Sequence, residues 1–158
     1  MCSTPSPMAI ERLTERISIH TIEFPYTRTL GPVYGAFLTG LRDGRLLGIR
    51  TADGRVLMPP TEWDPATGEP LDLDFVEVGP GGTVDSWCWV TQSTSKHPLS
   101  QPFAFALVRL DGADTALIHA VDAGDEARMG TGMRVTARFR AERVGSITDL
   151  VFVPEDAS

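Results

Sequence analysis

The segment MRVTARFR, residues 133–140, decides the fold, because its side chains alternate strictly between two faces. Apolar side chains occupy every second position, and arginine or threonine fills the positions between them. Successive side chains of a β-strand point to opposite faces, so this pattern is typical of a strand with one buried face and one exposed face. The segment therefore predicts a strand at the edge of a hydrophobic core.

Runs of similar character lie on both sides of this segment. The strand-like runs are residues 71–78, 82–91, 103–110, 115–121, 133–142 and 149–153. The turns between them are rich in Gly, Pro and Asp, as at Gly79-Pro80-Gly81-Gly82 and Asp111-Gly112. Short strands at this spacing predict a mainly β protein, built as a small barrel or sandwich.

The first third of the chain has a different texture. Gly31-Pro32 is a plausible helix start, apolar residues follow at helical spacing, and Gly44 is a good stop, so we predict a helix over residues 31–43. An Asp53-Gly54 step between runs 46–50 and 55–58 predicts a β-hairpin.

We expect three segments along the chain. Residues 1–23 are interpreted as a flexible leader that ends in a short extended segment. Residues 24–70 hold the helix and the hairpin, and residues 71–158 hold the barrel.

Composition limits the classes of function. The net charge of −7 argues against nucleic acid as the main partner, because phosphate contacts require a basic surface. Two cysteines, Cys2 and Cys88, do not make a disulfide framework. No signal peptide and no apolar stretch of about 18 residues is present, so we expect a cytoplasmic protein without a membrane span.

The histidines give little indication of catalysis. His119 lies within a strand-like run and His97 within the Ser/Thr/Pro-rich connection 92–102, and neither belongs to a recognisable nucleophile or metal motif. We expect His119 to be a half-buried residue with a hydrogen bond. Asp122, which follows that run, is its candidate acidic partner if the chain is an enzyme.

The segment Ser86-Trp87-Cys88-Trp89-Val90 presents two tryptophans on one face. Alternation from Val84 predicts that Cys88 points inward and that both tryptophans point outward. An outward pair of tryptophans has two explanations, cover by the predicted helix or an exposed surface for a partner.

The arginines form the most distinctive cluster. Arg134, Arg138 and Arg140 share one face of a strand, and Arg143 follows. Arginine binds phosphate groups through paired hydrogen bonds, so this face is a candidate site for the phosphates of coenzyme A. The alternative is an ordinary solvated face.

The order of motifs resembles a zinc-ribbon/OB-fold family of acyl-CoA-associated proteins. Such proteins carry a helix, a ribbon with two Cys-x-x-Cys pairs around a Pro-Pro step, and an OB-fold barrel. The matching motifs are Gly54-Arg55-Val56-Leu57-Met58-Pro59-Pro60, Asp64-Pro65-Ala66-Thr67-Gly68, Gly81-Gly82-Thr83-Val84, Leu110-Asp111-Gly112 and Gly132-Met133-Arg134-Val135. The resemblance covers residues 24–154 and implies an OB-fold behind a rubredoxin-like ribbon hairpin.

The chain departs from this family at the metal site. The four ligand positions fall on Arg50, Asp53, Asp64 and Thr67, so every thiolate is gone while the spacing is kept. A structural zinc site needs four ligands, usually Cys or His, and we therefore expect no zinc and no other cofactor. Arg50 is predicted to pair with Asp53 or Asp64 in place of the metal.

The resemblance implies a non-catalytic accessory subunit in lipid metabolism. Family members partner thiolase-like, lipid-transfer-type enzymes, and some help to hold an acyl-CoA thioester. The candidate contacts to coenzyme A are Tyr26, Arg28, Tyr34, Phe37, Arg134, Arg138 and Arg140.

Two other functions stay open. The first is a stand-alone acyl-thioester enzyme that uses His119 or His97 with Asp122. The second is an OB-fold binder of single-stranded nucleic acid in which Trp87 and Trp89 stack on bases.

Overall fold

The structure is a computed structural model that describes residues 21–23 and 29–155. Within these residues the protein is mainly β, as predicted. The elements are α1 (Gly31–Arg42), β1 (Leu47–Arg50), β2 (Val56–Leu57), β3 (Phe75–Glu77), β4 (Gly81–Val90), β5 (Phe103–Leu110), β6 (Ala116–Val121), β7 (Arg134–Phe139) and β8 (Leu150–Pro154). Short 3-10 helices at Glu126–Arg128 and Ile147–Asp149 complete the list. No helix of the described ranges is long and apolar enough to cross a membrane.

The predicted helix is confirmed to within one residue of its end. Pro32 suits the first turn because its fixed φ and missing N–H cost nothing there. Gly44 follows the last turn with a φ of 76°, a conformation that favours glycine, and its N–H donates to the Leu41 carbonyl at 3.1 Å.

The predicted hairpin, β1 and β2, is part of a three-stranded antiparallel sheet in the order β2-β1-β3, with β1 at its centre. Ile49 on the central strand pairs with Leu57 on one side and with Phe75 on the other. The small sheet thus extends to Glu77, beyond residue 70, and the three-segment division of the chain stays a prediction. Most of the leader, including Cys2, lies outside the described residues.

The remaining strands close into a barrel in the order β4-β5-β6-β8-β7. Strand β4 closes the barrel, because it pairs with β5 along its length and with β7 through residues 81–83. Strands β6 and β8 run parallel through the Val121–Phe152 pair. A closed five-stranded barrel of this order is an OB-fold, so the predicted fold class is confirmed.

Helix α1 joins the barrel to the small sheet. Phe37 and Leu41 pack in the same buried cluster as the barrel interior, whereas Val33 packs with Ile49 and Leu57 of the small sheet. Burying a side chain such as Phe37 stabilises the fold by about 1.5–3 kcal/mol. The helix therefore fixes the position of the small sheet on the barrel.

A second connection ties strand β2 to the turn between β5 and β6. The Asp114 carboxylate accepts the Val56 N–H at 2.7 Å, and the Asp114 N–H donates to the Val56 carbonyl at 2.8 Å. The Thr115 hydroxyl accepts the Met58 N–H at 2.7 Å and donates to the Met58 carbonyl at 2.9 Å. The free edge of the short strand β2 is thereby satisfied by the barrel.

A β-bulge in strand β4 overturns the predicted orientation of its tryptophans. The pairing with β5 shifts by one residue between Val84 and Ser86, and the extra residue reverses the alternation of every side chain that follows. Trp87 and Trp89 therefore pack against the core, and Cys88 is exposed. The prediction of an inward Cys88 and outward tryptophans was wrong because a strict period of two does not include a bulge.

Candidate functional site

Arg50 does not pair with Asp53 or Asp64, two of the four positions that the family resemblance aligned with metal ligands. Arg50 pairs through Nε with the Asp74 carboxylate at 3.2 Å, and its own N–H donates to the Asp74 carbonyl at 2.9 Å. That backbone pairing directs the Arg50 side chain toward β3 and away from the hairpin turn. The prediction that Arg50 pairs with Asp53 or Asp64 was therefore wrong.

Arg55 bridges these two carboxylates instead. Its Nε donates to Asp53 at 2.7 Å and its Nη2 to Asp64 at 3.4 Å. The Thr51 hydroxyl also donates to Asp53. That hydroxyl first, and then Arg55, hold the pKa of Asp53 at about 2. We call Asp53, Arg55 and Asp64 the ionic clip.

The segment from Asp64 to Glu69 is built from local turns. Asp64 is buried, and its carboxylate accepts the Ala66 N–H at 2.8 Å. The Thr67 hydroxyl accepts the Glu69 N–H at 3.3 Å. The side-chain oxygens of Asp53, Asp64 and Thr67 thus all accept hydrogen bonds from other groups of the chain.

This donor set does not fit zinc. The ionic clip borders a cavity of about 260 Å³, and a guanidinium lies between its two carboxylates, where it would repel a cation. Within residues 21–23 and 29–155, no three or more His, Cys, Asp and Glu side chains are grouped to hold a metal. The expectation of no zinc stays a prediction, and the chemistry of the clip supports it.

Arg134 and Arg138 of strand β7, and Arg140 directly after it, are exposed, as predicted, and each has an intramolecular partner. Arg134 makes a two-pronged contact with Asp111, at 2.8 and 2.6 Å, and two further contacts with Glu155 at 3.2 Å. These two carboxylates raise the pKa of Arg134, and Arg134 in turn lowers that of Asp111. Binding a phosphate would require Arg134 to release both carboxylates.

The other two arginines are engaged less strongly. Arg138 contacts the Asp122 carboxylate at 2.5 Å. Arg140 donates to the neutral Pro98 carbonyl at 3.3 Å. Of the three phosphate candidates, Arg140 is the one whose side-chain hydrogen bond goes to an uncharged group, while its charge also helps to lower the pKa of Asp149, after the N–H groups of Ser146, Gly145 and Val144. The assignment of this face to coenzyme A stays a prediction.

The candidate coenzyme A contacts in and near the helix have different environments. Tyr34 is about half exposed and lines a cavity of about 610 Å³ with Leu30, Gly31 and Glu62. Phe37 is buried in the core. Tyr26 and Arg28 lie outside the described residues.

The histidines and the tryptophans do not form the alternative sites. His119 lies inside the barrel, its Nε2 is 2.7 Å from the Leu150 carbonyl, and burial lowers its pKa. Its proposed partner Asp122 is bound to Arg138. His97, within the 92–102 connection, makes a T-shaped ring contact with Phe103.

The stacking platform expected for nucleic acid is also missing from its predicted face. Trp87 and Trp89 turn toward the core after the bulge, so neither presents an open ring on the outer face of β4. Sequence reasoning missed the apolar outer surface that takes its place, formed by Cys88, Leu107 and Ile118. No sequence signal marks the bulge. The position of Arg55, directly after the Asp53-Gly54 turn, could have indicated it as a partner for Asp53.

The comparisons with known proteins agree on the OB-fold. Residues 75–140, from β3 to the end of β7, match a family described as the C-terminal OB-fold domain of ChsH2. No curated protein matches the chain at a significant level.

Two solved structures share the architecture. One is a protein of unknown function from the DUF35 family of Sulfolobus solfataricus, with 18% identity, a TM-score of 0.59 and coverage of 79% of this chain and 87% of that one. The other is the Ltp2-ChsH2(DUF35) aldolase, with 20% identity, a TM-score of 0.59 and coverage of 81% and 98%. At these identities the likeness establishes the fold.

Proposed function

We propose that this chain is a non-catalytic accessory subunit in lipid metabolism. It binds a thiolase-like, lipid-transfer-type enzyme and helps to hold an acyl-CoA thioester, in fatty-acid or steroid side-chain degradation. The observation that carries the proposal is the match of residues 75–140 to the OB-fold domain of ChsH2. The similar solved structure in which a ChsH2 DUF35 chain is named together with Ltp2 supports a role beside an enzyme.

Arg140 is the residue we propose for a phosphate of coenzyme A. It is exposed, and the hydrogen bond it makes goes to the uncharged Pro98 carbonyl, so an incoming phosphate displaces no carboxylate. Arg134 and Arg138 would act only after losing acidic partners. An arginine–phosphate contact is charge-assisted and about twice as strong as a neutral hydrogen bond.

Tyr34 is the proposed contact for the pantetheine arm. Its ring lines the cavity of about 610 Å³ at the start of α1, which it shares with Leu30 and Glu62. Phe37 supports this position from the core rather than by touching the ligand.

The test is co-purification from the native host followed by titration of the isolated complex with coenzyme A. We expect a thiolase-superfamily enzyme in the complex and weaker CoA binding after Arg140→Ala. Arg109→Ala is the matched control, because Arg109 is also exposed on the barrel but pairs with Asp85 at 2.8 Å. The proposal would be refuted if the protein purified from its host as a monomer without a partner and showed no affinity for CoA.

A second candidate function is a stand-alone acyl-thioester enzyme, favoured only by the name aldolase of the similar complex. It would use His119 with Asp122, and both would have to leave their present partners, Leu150 and Arg138. Turnover of acyl-CoA by the purified chain, lost in His119→Ala, would favour this candidate over the accessory role.

A further inference from the structure

The loop between β4 and β5, residues 91–102, differs in composition from the rest of the chain. It carries five hydroxyl side chains, one histidine and the one lysine of the protein, Lys96, and it has no aspartate or glutamate. The whole chain, by contrast, has 21 acidic residues against 14 lysines and arginines. Hydroxyl and ammonium groups donate hydrogen bonds to phosphate oxygens. We call residues 91–102 the β4–β5 loop, and its side chains suit an anionic ligand.

The β4–β5 loop is packed against the strands of the barrel. Leu99 packs on an apolar cluster that contains the buried side chains of Phe103 and Val151. The His97 ring makes T-shaped contacts with Phe103 at 5.5 Å and with Phe105 at 6.2 Å between ring centroids. Because the loop is already ordered by these contacts, binding a ligand to it costs less conformational entropy than binding to a free loop.

A tight turn in the β4–β5 loop presents Lys96 to solvent. The Thr94 N–H donates to His97 Nδ1 at 3.1 Å, and the His97 N–H donates to the Thr94 carbonyl at 3.0 Å. The Lys96 N–H donates to the Thr94 hydroxyl at 3.4 Å. The backbone of Lys96 is therefore held, while its side chain is exposed and forms no ion pair with any residue that the structure describes.

Arg140 lies against the same loop. Its Nη2 donates to the Pro98 carbonyl at 3.3 Å, and Pro98 follows Lys96 by two residues. This contact leaves other N–H donors of the guanidinium available. Two residues of extended chain span at most about 7 Å, and the ammonium group of a lysine lies at the end of a long flexible stem. An anion bound to the Arg140 guanidinium is therefore within reach of the Lys96 ammonium group.

The charged groups around Arg140 leave a net positive charge for an anion. The charge of Arg140 acts on the buried Asp149 carboxylate, whose Oδ2 already accepts three backbone N–H groups. Glu142, which is exposed, adds a second carboxylate. Against these stand the cations of Lys96, Arg140 and Arg143, and Arg143 Nη1 donates to the Arg140 carbonyl at 3.0 Å. The cations therefore outnumber the carboxylates even when both carboxylates are counted.

We infer that Lys96 and Arg140 clamp one phosphate group of coenzyme A between the β4–β5 loop and the end of β7, an inference that rests on the proposed function. The group is the phosphomonoester of coenzyme A rather than its diphosphate. A phosphomonoester carries about two negative charges at pH 7 on freely accessible oxygens, so it can face a guanidinium on one side and an ammonium group on the other. Each phosphate of the diphosphate carries a single charge and is enclosed by the rest of the ligand. Lys96 is thus a further binding residue, and it favours coenzyme A over dephospho-coenzyme A.

The first test is protection of Lys96 from chemical labelling. The full tagged chain is purified from its native host with any enzyme that accompanies it, and reductive methylation of Lys96 is followed by peptide mass spectrometry. Because Lys96 is the one lysine of the chain, the peptide that contains it reports a single site. We expect saturating coenzyme A to slow the methylation severalfold, and dephospho-coenzyme A at equal ionic strength and occupancy to leave it unchanged.

The second test measures the affinity of variants for both ligands. Lys96 is exposed, so Lys96→Gln keeps the fold, and it should weaken binding of coenzyme A by about three- to fivefold, the upper range for one exposed charge pair. Its affinity for dephospho-coenzyme A should not change. Arg140→Ala should also reduce the preference for coenzyme A, since both side chains contact the same group. The matched control is Arg109→Ala, which removes an exposed cation elsewhere on the barrel and should leave that preference intact.

The outcomes separate this inference from the proposed function. If coenzyme A binds but the methylation of Lys96 is unchanged, or if Lys96→Gln binds both ligands as the original chain does, the clamp is refuted and the accessory role stands. Equal protection by dephospho-coenzyme A, or an equal loss of preference in Arg109→Ala, also refutes the clamp. If neither the chain nor any complex that contains it binds coenzyme A, both proposals fall.

Discussion

Replacing Thr115 with valine tests how the barrel holds the small sheet. The Thr115 hydroxyl is both acceptor for the Met58 N–H, at 2.7 Å, and donor to the Met58 carbonyl, at 2.9 Å. Met58 is fully buried, so water does not replace the lost hydroxyl. A buried polar group left without a partner costs about 1–3 kcal/mol, and Thr115→Val strands two of them. We expect the free energy of unfolding to fall by roughly 2–6 kcal/mol.

The assay is urea unfolding followed by tryptophan fluorescence, with a thermal scan beside it. A loss of that size lowers Tm by roughly 4–24 °C in a chain of this length, at about 2–4 °C per kcal/mol. Thr115→Ser is the matched control, since it keeps the hydroxyl and removes one methyl group, worth about 1 kcal/mol at most. If the valine variant unfolds within about 0.5 kcal/mol of the original chain, or if serine is as damaging as valine, the two hydrogen bonds do not hold the sheet as described.

Three other predictions follow from single groups. Burial lowers the pKa of His119, so between that lowered value and 6.5 the unfolded chain binds more protons than the folded one. The free energy of unfolding should fall as pH drops below about 6.5, and His119→Gln should flatten that slope in urea titrations at a series of pH values. Cys88 should react with a thiol reagent in the folded protein, measured in a Cys2→Ser background; a thiol protected until denaturant is added would contradict the bulge. Carbon-13 NMR should find the Asp53 carboxyl titrating at about 2, and Thr51→Val should move it toward 3.8, because the Thr51 hydroxyl is the largest cause of the shift. An unchanged midpoint would leave Thr51 without that role.

The sequence predicts the secondary structure well because the strands are short, strongly patterned and separated by glycine turns. The alternation of residues 133–140 survives in the structure, with Val135 buried and Arg134 exposed. In strand β4 the same rule fails after Val84, because one extra residue reverses every following side chain and leaves no mark on composition. Local periodicity therefore identifies strands but not the face that each residue occupies beyond a bulge.

The candidate site was predicted less completely than the fold, because spacing along the chain does not show which nearby side chains point toward one another. The absence of cysteines from this hairpin was visible in the sequence, but the cation that bridges Asp53 and Asp64 depends on which way each strand turns its side chains. Backbone pairing with Asp74 takes Arg50 away and leaves Arg55 in the bridging position.

Helix α1 has a consequence for how this protein melts. Val33 packs with the small sheet, whereas Phe37 and Leu41 pack with the barrel core, so this one helix contributes to both hydrophobic clusters. Unravelling the helix exposes apolar surface on both sides at once, and neither β unit keeps its cover when the other opens. We therefore expect the small sheet and the barrel to unfold in one cooperative transition. The fluorescence of Trp63, which pairs with Pro70, and of Trp87, in the barrel, should report the same unfolding midpoint.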